Sequence, residues 1–297
     1  MSLLLEQIPK PQPSAGELMV RVGAAAATPS ELSWYPTLHT RDGAVRTLPV
    51  PGHEFSGVVE ALGEGVTGVE VGDSVYGLND WFVDGAMAEF CLASAQNVAI
   101  KPKNLSHVEA ACVPISGLTA WQGLIERAEL SSGQRILIHG AAGGVGTFAV
   151  QLARWRGAYI LATASASNRD FVLELGAHEV IDYDKVPFES VARDIDVVFD
   201  TVGGNTLRRS WAVLKADGKM VTIASSEEAE EDSRVKDAFF IVQPNRKQLQ
   251  QLTALIEENV LRPVVDFVFP FTSAAHAFAN RTDGKVHRGK VVVQIAG

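Results

Sequence analysis

The chain is short of cysteine, of clustered basic residues and of uninterrupted apolar sequence, and each shortage removes a class of function. Only two cysteines occur in 297 residues, Cys91 in "EFCLA" and Cys112 in "AACVP". Both have apolar neighbours, so buried reduced thiols are expected rather than a disulfide framework, and with them a reducing compartment. A run of four closely spaced cysteines, of the kind that folds around a structural zinc, is absent. Apolar runs such as "RILIHGAAGGVGTFAVQLA" are broken by charge, glycine or histidine before the ~20 residues that a bilayer span needs. The N-terminal "MSLLLEQIPK" has an apolar run of three leucines and no basic start. Neither a membrane segment nor a secretory signal is expected, and the cytoplasm is the expected location. Positive charge is in deficit too: 26 Lys and Arg against 35 Asp and Glu give a net charge of −9. Without a basic patch, no nucleic-acid partner is expected. The densest charge run, "SSEEAEEDSRVKD" (Ser225–Asp237), is acidic, lacks periodic apolar positions and reads as a solvated loop.

What is present falls into two textures. From Glu17 to about Ala93, short β-branched runs ("ELMVRVGAAA", "FSGVVEALG", "DSVYGL", "MAEFCLA") are separated by Gly, Pro and Asp, which predicts a β-rich, barrel-like unit. Within it, "GEGVTGVEVGDSVYG" reads as a turn, a valine strand and a tight Gly-Asp turn. From about Asn104 the spacing becomes helical, with Ser106 as an N-cap. Strands at Arg135–Gly140, Ala158–Ala164, His178–Tyr183, Asp196–Asp200 and Gly218–Ala224 then alternate with helical segments, among them "FESVARD" and "NTLRRSWAVLKAD". That alternation predicts a doubly wound parallel sheet, with "FFIVQP" (Phe239–Pro244) as its sixth strand. A helix, "NRKQLQQLTALIEENVL", follows, and the tail returns to the β-rich unit. The expected division is 1–118 with 246–297 for the β-rich domain and 119–245 for the α/β domain.

The most informative line is "RILIHGAAGGVGTFAVQLA". A buried strand runs into Ala142-Gly143-Gly144-Val145-Gly146 and an amphipathic helix follows at once. Glycines let the backbone approach a pyrophosphate, and the free N–H groups at the helix start stabilise its charge. Ala141 stands where the usual pattern has its first glycine. About twenty residues on, an NAD site would carry an acid for the ribose 2′-OH. Here the text is "TASASNR" (Thr163–Arg169). Ser165, Asn168 and Arg169 can donate to a 2′-phosphate that a carboxylate would repel, each charge-assisted bond being worth roughly 1.5–3 kcal/mol. NADPH is the expected cofactor.

Together "PGHEFSGVVEALGEGV", "VGDSVYGL", "ISGLTAWQGL", "ILIHGAAGGVG", "LGAHEVIDY", "VFDTVGG" and "RGKVVV", in that order, resemble the medium-chain dehydrogenase/reductase superfamily over nearly the whole chain. Within it the chain is similar to the quinone oxidoreductase (zeta-crystallin-like) branch. The resemblance implies a GroES-like catalytic domain, a Rossmann domain and a nucleotide in the cleft between them. It implies the pyrophosphate on Ala142–Gly146 and the 2′-phosphate among Ser165, Asn168, Arg169 and Tyr183. Thr201, Val202 and Gly203 would follow the adenosine and ribose, and Ile223, Ala224, Phe240 and Val242 would line the nicotinamide. Thr119 would lie near the reactive end, and Arg288 or Lys290 near the phosphates. The family's Asn-Pro pair is replaced here by Thr28-Pro29.

The histidine of "PGHEFSG", His53, matches the position that binds catalytic zinc in alcohol dehydrogenases of this superfamily. Such a zinc needs three protein ligands. Thr28 stands where the first cysteine would be and Ile115 where the later ligand would be. No metal is therefore expected, although a site built from His53, Glu54 and Cys112 remains an alternative. Reducing a simple ketone places charge on one alkoxide oxygen, which zinc stabilises. Adding hydride to a quinone or α,β-unsaturated carbonyl yields a delocalised anion that hydrogen bonds can hold. The expected activity is metal-free, NADPH-dependent hydride transfer to such an acceptor. Tyr35 is the expected proton donor, with His53 as a hydrogen-bonding cleft residue and Thr28, Trp34 and Asn79–Phe82 nearby. The alternatives are a zinc-dependent alcohol dehydrogenase and a non-enzymatic NADPH-sensing or RNA-binding protein. Pairing of exposed "FFIV" edges into a homodimer is also expected.

Overall fold

The computed structural model describes residues 3–224, 232–279 and 286–296. Two sheets organise it. The first contains strands β1 (Glu17–Ala27), β2 (Glu54–Leu62), β3 (Ser74–Leu78), β4 (Phe90–Ser94), β5 (Val98–Ile100), β11 (Val265–Pro270) and β12 (Lys290–Gln294). Its order is β11-β12-β1-β2-β3-β5, with β4 also paired to β1. All pairings are antiparallel except β11 with β12. β1 is its organising strand: Leu18, Val20 and Val22 are fully buried, it pairs with β2, β4 and β12, and its ladder with β2 shifts register between Met19 and Val20 and between Val22 and Ala24. The run 66–71 is loop rather than the expected valine strand. Its glycine neighbours, Gly65, Gly68 and Gly72, all have positive φ, which breaks the extended backbone.

The second sheet holds β6 (Arg135–Ile138), β7 (Tyr159–Ala164), β8 (Glu179–Asp182), β9 (Ile195–Asp200) and β10 (Leu214–Thr222). Its order is β10-β9-β6-β7-β8, all parallel. The fold class is α/β: a Rossmann-type parallel sheet beside a GroES-like antiparallel one. The helices are α1 (Tyr35–Leu38), α2 (His107–Ala111), α3 (Pro114–Trp121), α4 (Gly144–Trp155), α5 (Arg169–Leu175), α6 (Gly204–Ser210), α7 (Ser233–Ala238), α8 (Arg246–Glu257) and α9 (Ala274–Ala277). Ser106 caps α2 through a full capping box with Glu109, and the Asn245 side chain caps α8. "FESVARD" makes only a 3-10 turn at Phe188–Ser190, and the helix expected to run to Asp217 stops at Ser210 because Leu214–Asp217 joins β10.

The sixth strand is absent among the described residues. "FFIVQP" makes one bridge, Phe239 with Thr222. Its backbone groups are taken by side chains instead: Gln122 accepts from Gln243 N (3.0 Å) and donates to Gln243 O (2.7 Å), while Trp81 Nε1 donates to Val242 O (2.9 Å). Of the acidic run, residues 225–231 lie outside the described residues. The remainder contradicts the loop expectation, since α7 buries Val235 and Ala238 against the sheet. Burying Val235 contributes ~1.5–3 kcal/mol, and the single methyl of Ala238 about 0.8 kcal/mol. α8 packs on the antiparallel sheet, where Tyr76 on β3 donates to Leu249 O (2.7 Å) and meets Thr253 Oγ1 (2.9 Å).

Candidate active site

β6 ends in a turn at Gly140 (φ +68°), and α4 starts after Gly143, which gives no side-chain cap. The first N–H groups of α4 are therefore left for a ligand. Gly146 packs so closely that a Cβ would stand 2.2 Å from Gly140 O. A Cβ on Gly144 would stand 2.7 Å from the Lys290 Cδ and 3.1 Å from Ser116 Oγ. Ser116 Oγ is buried and has no hydrogen-bond partner among the described residues. The tail crosses this loop: Gly289 N donates to Ala142 O (2.9 Å), and Gly289 bridges Gly143. An uncapped helix start, a buried orphan hydroxyl and a glycine that admits no side chain fit a dinucleotide pyrophosphate.

Beyond β7, Ser165 Oγ meets Ser167 Oγ (3.0 Å), and Asn168 Nδ2 donates to Ser165 Oγ (3.2 Å). Arg288 reaches in from the tail: Nε donates to Asn168 Oδ1 (2.8 Å), Nη2 to Ser167 O (3.1 Å), and the guanidinium lies 4.6 Å over the Phe171 ring. No carboxylate pairs with Arg288 among the described residues. Tyr183 is 58% exposed and follows β8, its N–H donating to Ala164 O (3.4 Å) at the end of β7. Arg169 stays at the surface, 3.7 Å from Asp170. The cation brought to this cluster is therefore Arg288, 119 residues along the chain from Arg169.

After β9, Thr201 Oγ1 donates to His139 O (2.8 Å), Val202 is exposed, and Gly203 sits at φ +76° where a Cβ would meet Ala224 O at 2.4 Å. Buried Asp200 accepts from Val202 N, Gly203 N and Thr222 Oγ1 and so fixes this turn beside Ile223 and Ala224. Phe240 and Val242 are buried. Asp200, Gln122 and Trp81 organise this wall: Asp200 lies within the "VFDTVGG" segment, but no spacing in the sequence links Gln122 to Gln243 or Trp81 to Val242.

On the other side, His53 is 1% exposed with both ring nitrogens engaged. Nδ1 is 2.6 Å from Glu31 Oε1 and Nε2 is 3.2 Å from Val83 O. Glu31 Oε1 also accepts from Gly52 N (2.6 Å). This corrects the expectation of a cleft-facing histidine: His53 ties two loops together and has no nitrogen left for an acceptor. Trp81 packs at 5.3 Å from His53 and 5.4 Å from Trp34. Tyr35 is not brought to this group; it is 57% exposed and stacks on His39. Thr119 is buried on α3 and spends its proton on Ile115 O (2.6 Å).

Lys290 occupies the region where Thr28 stands in for a ligand. Its Nζ donates to Thr28 Oγ1 (2.9 Å) and forms an ion pair with Glu54 Oε1 (2.5 Å). Glu54 Oε2 accepts from Ile115 N (2.9 Å). Burial pushes the Glu54 carboxyl up, and Lys290 opposes that. An ammonium beside Thr28 and Glu54 repels a divalent cation. Cys112 donates weakly to Val108 O (3.6 Å) on its own helix, and burial pushes its thiol well up. Among the described residues, no three His, Cys, Asp or Glu side chains converge.

Two family profiles match: "Alcohol dehydrogenase GroES-like domain" over residues 14–103 and "Zinc-binding dehydrogenase" over residues 175–293. The chain is 32% identical to the "Probable zinc-binding oxidoreductase, mitochondrial" of Arthroderma benhamiae, over 99% of this chain and 93% of that protein. It is 33% identical to the "NADPH-dependent alkenal/one oxidoreductase, chloroplastic" of Arabidopsis thaliana, over 93% and 72%. The solved quinone oxidoreductase of Coxiella burnetii superposes with a TM-score of 0.87 at 30% identity, covering 97% of this chain and 93% of that one. With both units, the glycine loop and their order along the chain accounted for, this protein belongs to the medium-chain dehydrogenase/reductase superfamily, in its quinone oxidoreductase branch.

Proposed function

We propose that this protein transfers hydride from NADPH to a quinone or an α,β-unsaturated carbonyl without a metal. The observation that carries the reading is the Lys290 ammonium on Thr28 and Glu54, a fixed positive charge where zinc-dependent relatives would need their ligands. Bound NADPH supplies the hydride at C4 of its nicotinamide. The chain's own part is to hold that carbon ~3–3.5 Å from the acceptor in a dry cleft. In this reading Ala142–Gly146 and Ser116 take the pyrophosphate, while Ser165, Asn168 and Arg288 take the 2′-phosphate, with Tyr183 and Arg169 at its rim. Thr201, Val202 and Gly203 border the ribose, and Ile223, Ala224, Phe240 and Val242 wall the nicotinamide. The names of the Arabidopsis and Coxiella relatives support both acceptor classes.

The domain division follows the same reading: 1–118 with 246–297 as the catalytic domain and 119–245 as the nucleotide domain. The pairing of β12 with β1 and the bond from Tyr76 to Leu249 support it. We place the protein in the cytoplasm as a homodimer. Two buried free thiols and the exposed Ile241 beside an open β10 edge support these assignments. No helix among the described residues is long and apolar enough to cross a membrane. The deciding assay is NADPH consumption against a panel of quinones, enones and simple aldehydes, with and without chelator. Turnover of the first two classes that survives chelation is expected. Activity confined to simple aldehydes and abolished by chelator would replace this reading with a zinc alcohol dehydrogenase.

A further inference from the structure

We propose that the Thr28 hydroxyl is the donor that holds the acceptor's carbonyl oxygen, and that Lys290 polarises it. The inference rests on the hydride-transfer reading above.

Thr28 follows β1 and opens the 3-10 turn Pro29–Ser33, yet its side chain makes no capping bond to that turn. It is half-buried, so one side remains accessible. An ammonium has donors and no acceptor, so in the 2.9 Å contact Lys290 gives the proton and Thr28 Oγ1 receives it. The Thr28 proton must then point elsewhere, and among the described residues the hydroxyl donates to none. A hydroxyl that accepts from a cation is a stronger donor in turn.

Glu54 makes the arrangement durable. It is fully buried, anchored by Ile115 N, and balances the Lys290 charge. The aliphatic stem of Lys290 runs over Gly144, where a Cβ would overlap Cδ and Cγ. The ammonium is thus fixed from below by the glycine loop and from the side by Glu54. Thr28 is the catalytic residue, and Lys290 and Glu54 are positioning residues.

In the step itself, a C–H bond forms at the acceptor's β-carbon as hydride arrives and the C–H bond at the nicotinamide C4 breaks. The alkene π pair shifts toward the carbonyl, whose oxygen gains the charge. Thr28 shares its proton with that oxygen and keeps it. The α-carbon takes its proton from water afterwards. The acceptor is reduced by two electrons and NADPH is oxidised to NADP⁺. The Thr28–Lys290 pair supplies a fixed donor where the related zinc enzymes use a Lewis acid.

The test pairs Thr28→Val, which keeps the shape and removes the hydroxyl, with Thr28→Ser, which restores it. In steady-state assays with an enone, Thr28→Val is expected to lose about tenfold or more in kcat with KM for NADPH within about twofold, and Thr28→Ser to recover most of it. The second readout needs no turnover. Bound p-nitrophenol mimics the anion, and its absorbance reports its own titration. In the wild-type NADP⁺ complex its apparent pKa is expected to fall by about one unit, a tenfold preference for phenolate. Thr28→Val abolishes that preference and Thr28→Ser retains it. If Thr28→Val matches wild type in both readouts, or Thr28→Ser is as impaired as Thr28→Val while both give native near-UV circular dichroism, the inference is overturned. Wild-type protein that consumes no NADPH with any quinone or enone overturns the functional reading instead, and this inference with it.

Discussion

Replacing Arg288 by leucine isolates the basis of cofactor choice. Its guanidinium bonds to Asn168 Oδ1 and Ser167 O and lies on the Phe171 ring, with no carboxylate partner among the described residues. A 2′-phosphate placed beside Ser165 and Asn168 would gain one charge-assisted contact from it, ~1.5–3 kcal/mol. Arg288 is half-buried, and solvent screening reduces that figure. The lower end, about tenfold in KM for NADPH, is the expected loss. NADH has no 2′-phosphate, so its KM should stay within about threefold. Leucine keeps contact with Phe171, which limits the structural effect. The assay is kcat/KM for both cofactors at low and high salt, where the NADPH-to-NADH ratio should collapse in the variant and the wild-type ratio should shrink as salt rises. An equal rise in KM for both cofactors, or no change for either, would refute the assignment of Arg288 to the phosphate.

Three further substitutions probe the scaffold. Gly146→Ala puts a Cβ 2.2 Å from Gly140 O and 2.7 Å from Ala141 Cα, both backbone. It should cost about 1–3 kcal/mol of stability and abolish the rise in Tm that NADPH gives the wild type, as thermal denaturation would show. Tyr76→Phe deletes the hydroxyl that bonds to Leu249 O and Thr253. About 1–2 kcal/mol should be lost in urea titration, with kcat unchanged. His139 is buried against the Thr163 and Ser210 hydroxyls, and burial pulls its pKa down from 6.5 to about 4. As pH falls below 6.5 the unfolded chain takes up a proton that the native chain refuses until about pH 4. Stability should therefore decline by about 3 kcal/mol from this group across that window and level off below it. A His139→Gln variant should show a correspondingly shallower decline in Tm; an identical pH profile would remove His139 as the cause.

The parts of this fold written in local sequence were readable. β6, the glycine turn and α4 lie within one short stretch, and periodicity, glycine placement and the strand-to-helix switch all agree there. Ser106 and Asn245 announced their helices by chemistry at the cap itself. The failures share a cause in long-range contact. "FFIVQP" has strand composition, but Gln122 and Trp81 claim its backbone from more than 100 residues away. The acidic run hid α7, whose two buried positions, Val235 and Ala238, are too few for a periodic signal. His53 looked like a lone remnant because Glu31, twenty-two residues earlier, carries no motif that marks it as a partner. Motif position marks Thr28 only as the place of a missing ligand, because its contact with Lys290 spans 262 residues.

The tail contact at Gly289 also sets a timetable. The glycine loop leaves the ribosome well before Gly289, whose N–H closes on Ala142, and Arg288 and Lys290 arrive on either side of that same N–H. A nascent chain stalled before residue 286 carries the whole loop with neither cation beside it. Contacts so distant in sequence form late in folding, after local helices and hairpins. A nucleotide seated on this loop would therefore meet Arg288 and Lys290 only once the last strand has docked.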